Sequence, residues 1–278
     1  MKLLFDDYSR KASRHVTKKY STSFYAGVRA LDKKIRDDVH AIYGFVRFAD
    51  EIVDSFHGFD KAELLEEFKN DTYKAIDRKV SLNPILNSFQ TTIHKYNIDL
   101  KLIEQFLFSM AMDLEDIEYD KQKYEQYILG SAEVVGLMCL KIFVYGDEGE
   151  YEKLKPYAMK LGSSFQKINF LRDLNADFNE LGRIYFPNLE SGELTLENKI
   201  QIEEEIQQEF EDALIGIKML PKSSRFGVYV SYKYYVKLLK KIQRKTANEL
   251  LQERIRIANK TKVFVFAKSF LRNSLNIL

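Results

Sequence analysis

Two stretches of this chain carry carboxylates at a spacing that suits chemistry. In Tyr43-Gly-Phe-Val-Arg47-Phe-Ala-Asp50-Glu51-Ile-Val-Asp54, positions 43, 47, 50 and 54 follow at intervals of four, three and four residues. On a helix such intervals keep side chains on one face, so Asp50 and Asp54 stack a turn apart and Arg47 stands a turn before them. Gln166, Asn169, Asp173 and Asp177 form a second stripe of this kind, with Arg172 beside it. The neighbours Phe45, Val46, Phe48, Ile52 and Val53, and Ile168, Phe170 and Leu171, are apolar, which marks both helices as central.

Carboxylates on a central helix are costly unless something compensates them. For the first stripe alone, an ion pair with Arg47 is a sufficient account. A divalent cation is the other, and two stripes of paired acids favour it. Mg2+ is a hard ion that takes carboxylate oxygens and keeps several waters. Bound there, it bridges to phosphate oxygens and neutralises a diphosphate as it leaves. Arg47 and Arg172 then donate charge-assisted hydrogen bonds to the departing group. A di-iron bundle needs Glu-x-x-His pairs. His15, His40, His57 and His94 supply none, and read as structural or surface residues.

These stripes need helices to carry them, and a helical period recurs along most of the chain with no convincing strand alternation. It predicts helices over 5–17, 33–55, 61–78, 84–96, 100–116, 121–145, 150–177, 197–220, 227–245 and 249–278, with a long irregular stretch at 179–196. A loop of that length directly after a candidate site suits a lid. With no repeat, linker or low-complexity tract, one all-α domain over residues 1–278 is the economical expectation.

Composition agrees. Four prolines and twelve glycines among 278 residues are few, which favours helices, and 45% hydrophobic residues supply a large core. The twenty Phe and seventeen Tyr fit that core or the wall of a pocket for a long apolar ligand. The net charge of +2 gives no footprint of a nucleic-acid partner. From Arg254 onward, however, there are six basic residues (Arg254, Arg256, Lys260, Lys262, Lys268 and Arg272) and no acidic one. That region suits either a solvated helix face or peripheral contact with anionic lipid. The lone Cys139 forms no internal disulfide and reads as a packing residue. The apolar run at 134–144 is far short of the roughly 20 residues of a spanning helix. With Asp6 and Asp7 in the first ten residues no secretory signal is visible, so a cytoplasmic location is expected.

Taken together, the motifs resemble those of the squalene/phytoene synthases over nearly the whole chain. Tyr20-Ser21-Thr22-Ser23-Phe24 looks like the family's Ser-x-Ser-Phe element, and Tyr43, Arg47, Asp50 and Asp54 match its first Asp-rich motif. Tyr127, Ala132, Gly136 and Met138 are similar to its Tyr-x(4)-Ala-x-x-Val-Gly-x-Met segment. Gln166, Asn169, Arg172, Asp173 and Asp177 match its second Asp-rich motif, and Arg183-Ile-Tyr185-Phe186-Pro187 its Arg-x-Tyr-hydrophobic-Pro loop. Tyr235, Arg254 and the run 256–262 resemble its last two helices. The wording of the first motif is nearest to bacterial phytoene synthases.

The resemblance implies an isoprenoid-synthase helical fold around one deep cavity. It implies about three Mg2+ ions, for which Mn2+ substitutes, held by Asp50, Glu51, Asp54, Asn169, Asp173 and Asp177. It gives catalytic roles to Tyr43, Arg47, Asp50, Asp54, Tyr127, Asp173 and Asp177. Diphosphate contacts fall to Ser21, Ser23, Arg47, Gln166, Asn169, Arg172, Tyr235 and Arg254. The implied reaction is head-to-head condensation of two geranylgeranyl diphosphates, through a cyclopropylcarbinyl diphosphate, to 15-cis-phytoene in carotenoid biosynthesis. NADPH is not expected. The same chemistry on farnesyl diphosphate, giving dehydrosqualene, squalene or hydroxysqualene, is the alternative, and a non-catalytic scaffold of the same fold a remote one.

Two departures bear on these roles. The first motif reads Asp-Glu at 50–51, and Glu51 lies about 100° round the helix from Asp50, at the edge of the stripe. Thr22 stands where some relatives carry a lysine. Taken without the resemblance, Tyr127 is an ordinary core tyrosine, Ser21 and Ser23 are helix caps, and Gly136 permits close helix packing.

Overall fold

The computed structural model describes residues 2–115, 119–179, 183, 185–187, 194–252 and 254–274, the side chains of 176–179, 259 and 274 excepted. These residues form helices α1 (Lys2–Tyr20), α2 (Thr22–Arg29), α3 (Lys33–Ser55), α4 (Lys61–Arg78), α5 (Pro84–Tyr96), α6 (Leu100–Met112) and α7 (Lys121–Ile128). A π-helical turn, Leu129–Glu133, leads into α8 (Val134–Phe143), followed by α9 (Glu148–Asn179), α10 (Leu196–Met219), α11 (Lys222–Ile242), α12 (Ala247–Leu250) and α13 (Asn259–Ser274). Among the described residues there is no strand, as an all-α fold requires.

Side-chain caps fix many of the starts. Asp32 accepts from Lys34 N at 2.9 Å, Asp60 from Glu63 N at 3.0 Å, and Asn83 from Ile85 N at 3.0 Å with Pro84 in the first turn. Each satisfies an amide that a helix start leaves without a partner. Lys79 and Asn97, at φ 58° and 49°, take the left-handed conformation that ends α4 and α5.

Packing makes α3 and α9 the central helices, as their apolar surroundings predict. Around α3, Phe45 is fully buried, stacks on Phe89 of α5 at 3.9 Å and on Phe68 of α4 at 5.6 Å, and tilts against Phe106 of α6. Around α9, Ile168 and Leu171 share a second buried cluster with Ile206 and Phe210 of α10 and Leu239 and Ile242 of α11. Such side chains contribute roughly 1.5–3 kcal/mol each when fully buried. Gly136 lets α8 close on α9, since a Cβ there would lie 3.1 Å from the Ala158 carbonyl oxygen.

Several boundaries differ from the periodicity. α1 extends beyond 5–17, and 22–29, outside the predicted helices, forms α2, capped by Ser21. The helix expected over 100–116 stops at Met112, where the Asp113 amide bonds back to Met110 O at 3.2 Å. The stretch 121–145 is divided by the π turn. The single helix expected over 249–278 is instead α12 and α13, with 254–258 non-helical between them. That segment buries Ile255 and carries Arg254 to Asp173, a tertiary gain that overrides helical propensity.

Among the described residues one stretch, Lys121–Phe143, is long and apolar enough to cross a membrane. More than half of its apolar window is buried, as in a core helix.

Candidate active site

The two acidic helices meet at a cavity of about 380 Å³. Tyr43, Arg47 and Asp50 from α3, Tyr127 and Ser131 from α7 and the π turn, Gln166 and Asn169 from α9, and Tyr235 from α11 give it a polar end. The remaining wall is largely apolar and includes Phe24, Val46, Phe106, Met110, Cys139, Phe143, Leu161, Phe165 and Ile217. α3 and α9 each turn part of a polar stripe toward the cavity while burying apolar side chains such as Phe45, Ile168 and Leu171.

Of the first stripe, Tyr43, Arg47 and Asp50 line the cavity and Asp54 lies beyond its lining. The Arg47 guanidinium lies 4.5 Å over the Tyr20 ring and donates to both Asp50 and Glu51. Its Nε atom is buried without a partner. Tyr43 stacks on Phe24 at 4.8 Å, and burial pushes its hydroxyl up to about 12. Burial and then the neighbouring Asp54 charge push Asp50 up to about 7. Asp54 accepts from Arg183 Nη1 at 2.8 Å.

In the second stripe Tyr235 donates to Asn169 Oδ1 at 3.2 Å, and Asn169 donates to Gln166 Oε1 at 3.2 Å, a hydrogen-bonded row along the wall. Tyr235 also stacks on Phe165 at 3.8 Å, whereas Tyr229, Tyr232 and Tyr234 of the same helix are buried away from the cavity lining. Asp173 accepts from Arg172 Nε at 3.0 Å and pairs with Arg254 Nε at 2.7 Å. The Asp177 side chain lies outside the described residues. Ser21 caps α2 by accepting from Phe24 N at 3.2 Å, and Ser23 is half-buried in its first turn. Beside them, Lys262 of α13 donates to the Thr22 hydroxyl at 3.4 Å.

Asp113 escaped the sequence reading. Only 3% of its side chain is exposed, and it accepts from the Tyr127 hydroxyl at 2.7 Å and the Tyr185 hydroxyl at 3.0 Å. Burial pushes it up to about 6, against the opposing pull of Arg183. Arg183 donates to Asp54, to Tyr185 and to the Asp113 carbonyl, so one guanidinium joins the end of α3 to the end of α6. The only local signal was an acid directly after the apolar helix Leu100–Met112. Cys139, expected as packing, is half-buried on the cavity wall, and burial pushes its thiol up to about 12.

The donor set suits a hard dication: carboxylate oxygens of Asp50, Asp54 and Asp173, and the Asn169 amide oxygen beside them. Crowded, partly desolvated acids such as Asp50 and Asp113 are what added positive charge would relieve. Among the described residues, however, no group of three His, Cys, Asp or Glu lies close enough to hold a metal ion. Asp50, Glu51, Asp54 and Asp173 are each held by arginine.

Comparison with known proteins adds the following. Residues 17–197 match the family model described as "Squalene/phytoene synthase". A chloroplastic phytoene synthase of Narcissus pseudonarcissus is 27% identical over 271 residues, covering 87% of this chain and 60% of its own length. Phytoene synthase 2 of Solanum lycopersicum is 27% identical over 272 residues, covering 87% of this chain and 83% of its own. Among solved structures, a dehydrosqualene synthase superposes with a TM-score of 0.81 at 17% identity, over 97% of this chain and 98% of its own. The squalene synthase HpnC from Alicyclobacillus acidocaldarius gives 0.73 at 19% identity, over 85% and 93%. These last two likenesses establish the terpenoid-synthase helical fold.

Proposed function

Because the chain belongs to the squalene/phytoene synthase family, we propose that it is a Mg2+-dependent prenyltransferase that joins two geranylgeranyl diphosphates head to head. The product is 15-cis-phytoene, formed through a cyclopropylcarbinyl diphosphate with loss of two diphosphates and two protons, one as the cyclopropane closes and one in the final rearrangement. The observation that carries this reading is the cavity shared by both acidic helices, polar at one end and apolar along the rest. The relatives named phytoene synthase support this choice of product.

Asp50, Asp54, Asn169, Asp173 and Asp177 would hold the metal, with Glu51 at the edge of the set. When bound, Mg2+ supplies the positive charge that lets the diphosphate depart. Arg47 and Arg172 bind and orient that diphosphate, with Ser21, Ser23, Gln166, Tyr235 and Arg254 around it. Substrate binding would draw the arginines from their present carboxylate partners onto phosphate oxygens. Phe24, Tyr43, Phe165 and Tyr235 offer ring faces to a carbocation, and the apolar wall keeps water from quenching it. NADPH is not required by this reading, and the protein acts in the cytoplasm.

The test is incubation of the purified protein with Mg2+ and the C15 or C20 diphosphate, with and without NADPH, followed by product analysis. A C40 hydrocarbon from the C20 substrate is the expected result. A C30 product from farnesyl diphosphate alone would move the assignment to dehydrosqualene, squalene or hydroxysqualene formation. Diphosphate release without either hydrocarbon would overturn head-to-head coupling.

A further inference from the structure

Helix α13 is amphipathic in an unusual sense: both of its faces are apolar, and only one is packed. Thr261, Val265, Phe266 and Ser269 turn inward, where Phe266 meets Phe226 of α11 at 5.6 Å. On the other side Val263, Phe264, Ala267 and Leu271 recur at the i, i+1, i+4, i+8 spacing of a helical stripe, with Phe270 at its edge, 5.9 Å from Phe226. Val263 is 70% exposed, Phe264 66%, Phe270 53% and Leu271 62%. A contiguous stripe of large apolar side chains left in water marks a contact surface.

The charge around the stripe selects the partner. Lys260, Lys262, Lys268 and Arg272 lie on α13, which has no acidic residue. Lys233 and Lys240 of α11 stand close by. Burial and then the charges of Arg272, Lys240 and Lys268 hold the Lys233 ammonium below its usual range, so these cations crowd one region. An apolar stripe edged by lysine and arginine fits the boundary between acyl chains and anionic headgroups.

We infer that the exposed stripe of α13 docks the protein on an anionic lipid bilayer, with Val263, Phe264 and Leu271 entering the interface and Lys260 and Lys268 meeting the headgroups. Docking would also place the polar end of the cavity near the bilayer. Arg254 holds Asp173, and the five residues from there to the start of α13 span at most about 18 Å. At the same end Lys262 reaches Thr22, one residue from Ser21. An amphiphile with a long apolar tail would then pass between bilayer and cavity without crossing bulk water. The docking itself does not depend on the coupling activity proposed above, and its test does not read that activity.

The full chain is floated with vesicles of phosphatidylcholine, with and without phosphatidylglycerol. Wild-type protein should partition onto the anionic vesicles and be released by salt. Val263→Ser with Phe264→Ser and Leu271→Ser should lower that partition by about tenfold or more. Lys260→Gln with Lys268→Gln should lower it on the order of tenfold and flatten its salt dependence. Because all five side chains lie outside the buried core, both variants should keep the wild-type melting temperature. No binding to anionic vesicles, or binding that neither variant weakens, would overturn the inference. A dimer abolished by the serine variant, with no vesicle binding, would assign the face to a second copy and overturn it equally.

Discussion

Tyr127 donates its hydroxyl to Asp113 Oδ2 across 2.7 Å, which fastens the cavity wall to the residue that ends α6. The second oxygen of Asp113 takes the Tyr185 hydroxyl, and Tyr127 and Tyr185 pack with ring centroids 4.9 Å apart. Arg183 lies 3.7 Å from this carboxylate and donates to the Asp113 backbone carbonyl and to Asp54.

Asp113→Asn tests that arrangement. The amide nitrogen cannot accept, so one tyrosine hydroxyl loses its partner at a cost of about 1–3 kcal/mol. Urea denaturation at neutral pH should report this loss. Turnover should fall as well, because Arg183, which holds Asp54, would lose the negative charge 3.7 Å away on Asp113. A variant with unchanged stability and turnover would remove Asp113 from any positioning role.

The metal assignment predicts a graded response. Asp50→Asn and Asp173→Asn should each lower turnover by about a hundredfold or more and raise the Mg2+ concentration needed for half-maximal rate. Glu51→Gln should cost far less, since Glu51 is engaged by Arg47 at the edge of the stripe. Chelation with EDTA should abolish turnover and added Mg2+ restore it. Activity retained in Asp50→Asn and Asp173→Asn would leave the carboxylates as partners of arginine only.

Cys139→Phe places a ring where a half-buried thiol lines the cavity. The apolar space shrinks while the polar end is untouched. The C20 substrate should suffer more than the C15 one, seen as a fall of about tenfold in the C20-to-C15 ratio of kcat/KM. Equal losses on both would place Cys139 outside the region that measures chain length.

Stability should respond to His40. Burial holds this imidazole neutral down to about 4, while the unfolded chain takes up its proton near 6.5. Below 6.5 the unfolded state therefore binds the proton that the folded state refuses, and stability declines as pH falls until it levels off below about 4. Between pH 7 and 5 this amounts to about 2 kcal/mol. Urea denaturation should show that part of the slope in the wild type and not in His40→Gln. Identical slopes would mean His40 has no such depression.

The fold was legible wherever local chemistry and packing agree. Asp32, Asp60 and Asn83-Pro84 punctuate the chain, and the periodicity placed 33–55, 61–78 and 84–96 where α3, α4 and α5 lie. It failed where a distant contact decides the outcome. The non-helical 254–258 exists because Arg254 reaches Asp173, 81 residues earlier in the chain. The site divides in the same way. Spacing on one helix revealed the stripes of α3 and α9, since neighbours on a helix face are fixed by sequence. Asp113 gains its meaning from Tyr127, Tyr185 and Arg183, which only the folded chain assembles.

The π-helical turn Leu129–Glu133 carries a consequence for how this protein tolerates insertion and deletion. Such a turn accommodates one residue more than an α-helix would over the same rise. Removing a single residue there would rotate everything downstream in α8 by about 100°. Val135, Gly136 and Cys139 would swing off the cavity lining, although none of them had changed. The inner surface of the cavity is thus a matter of phase as well as composition, and a one-residue gap in that turn would remould it more than most substitutions.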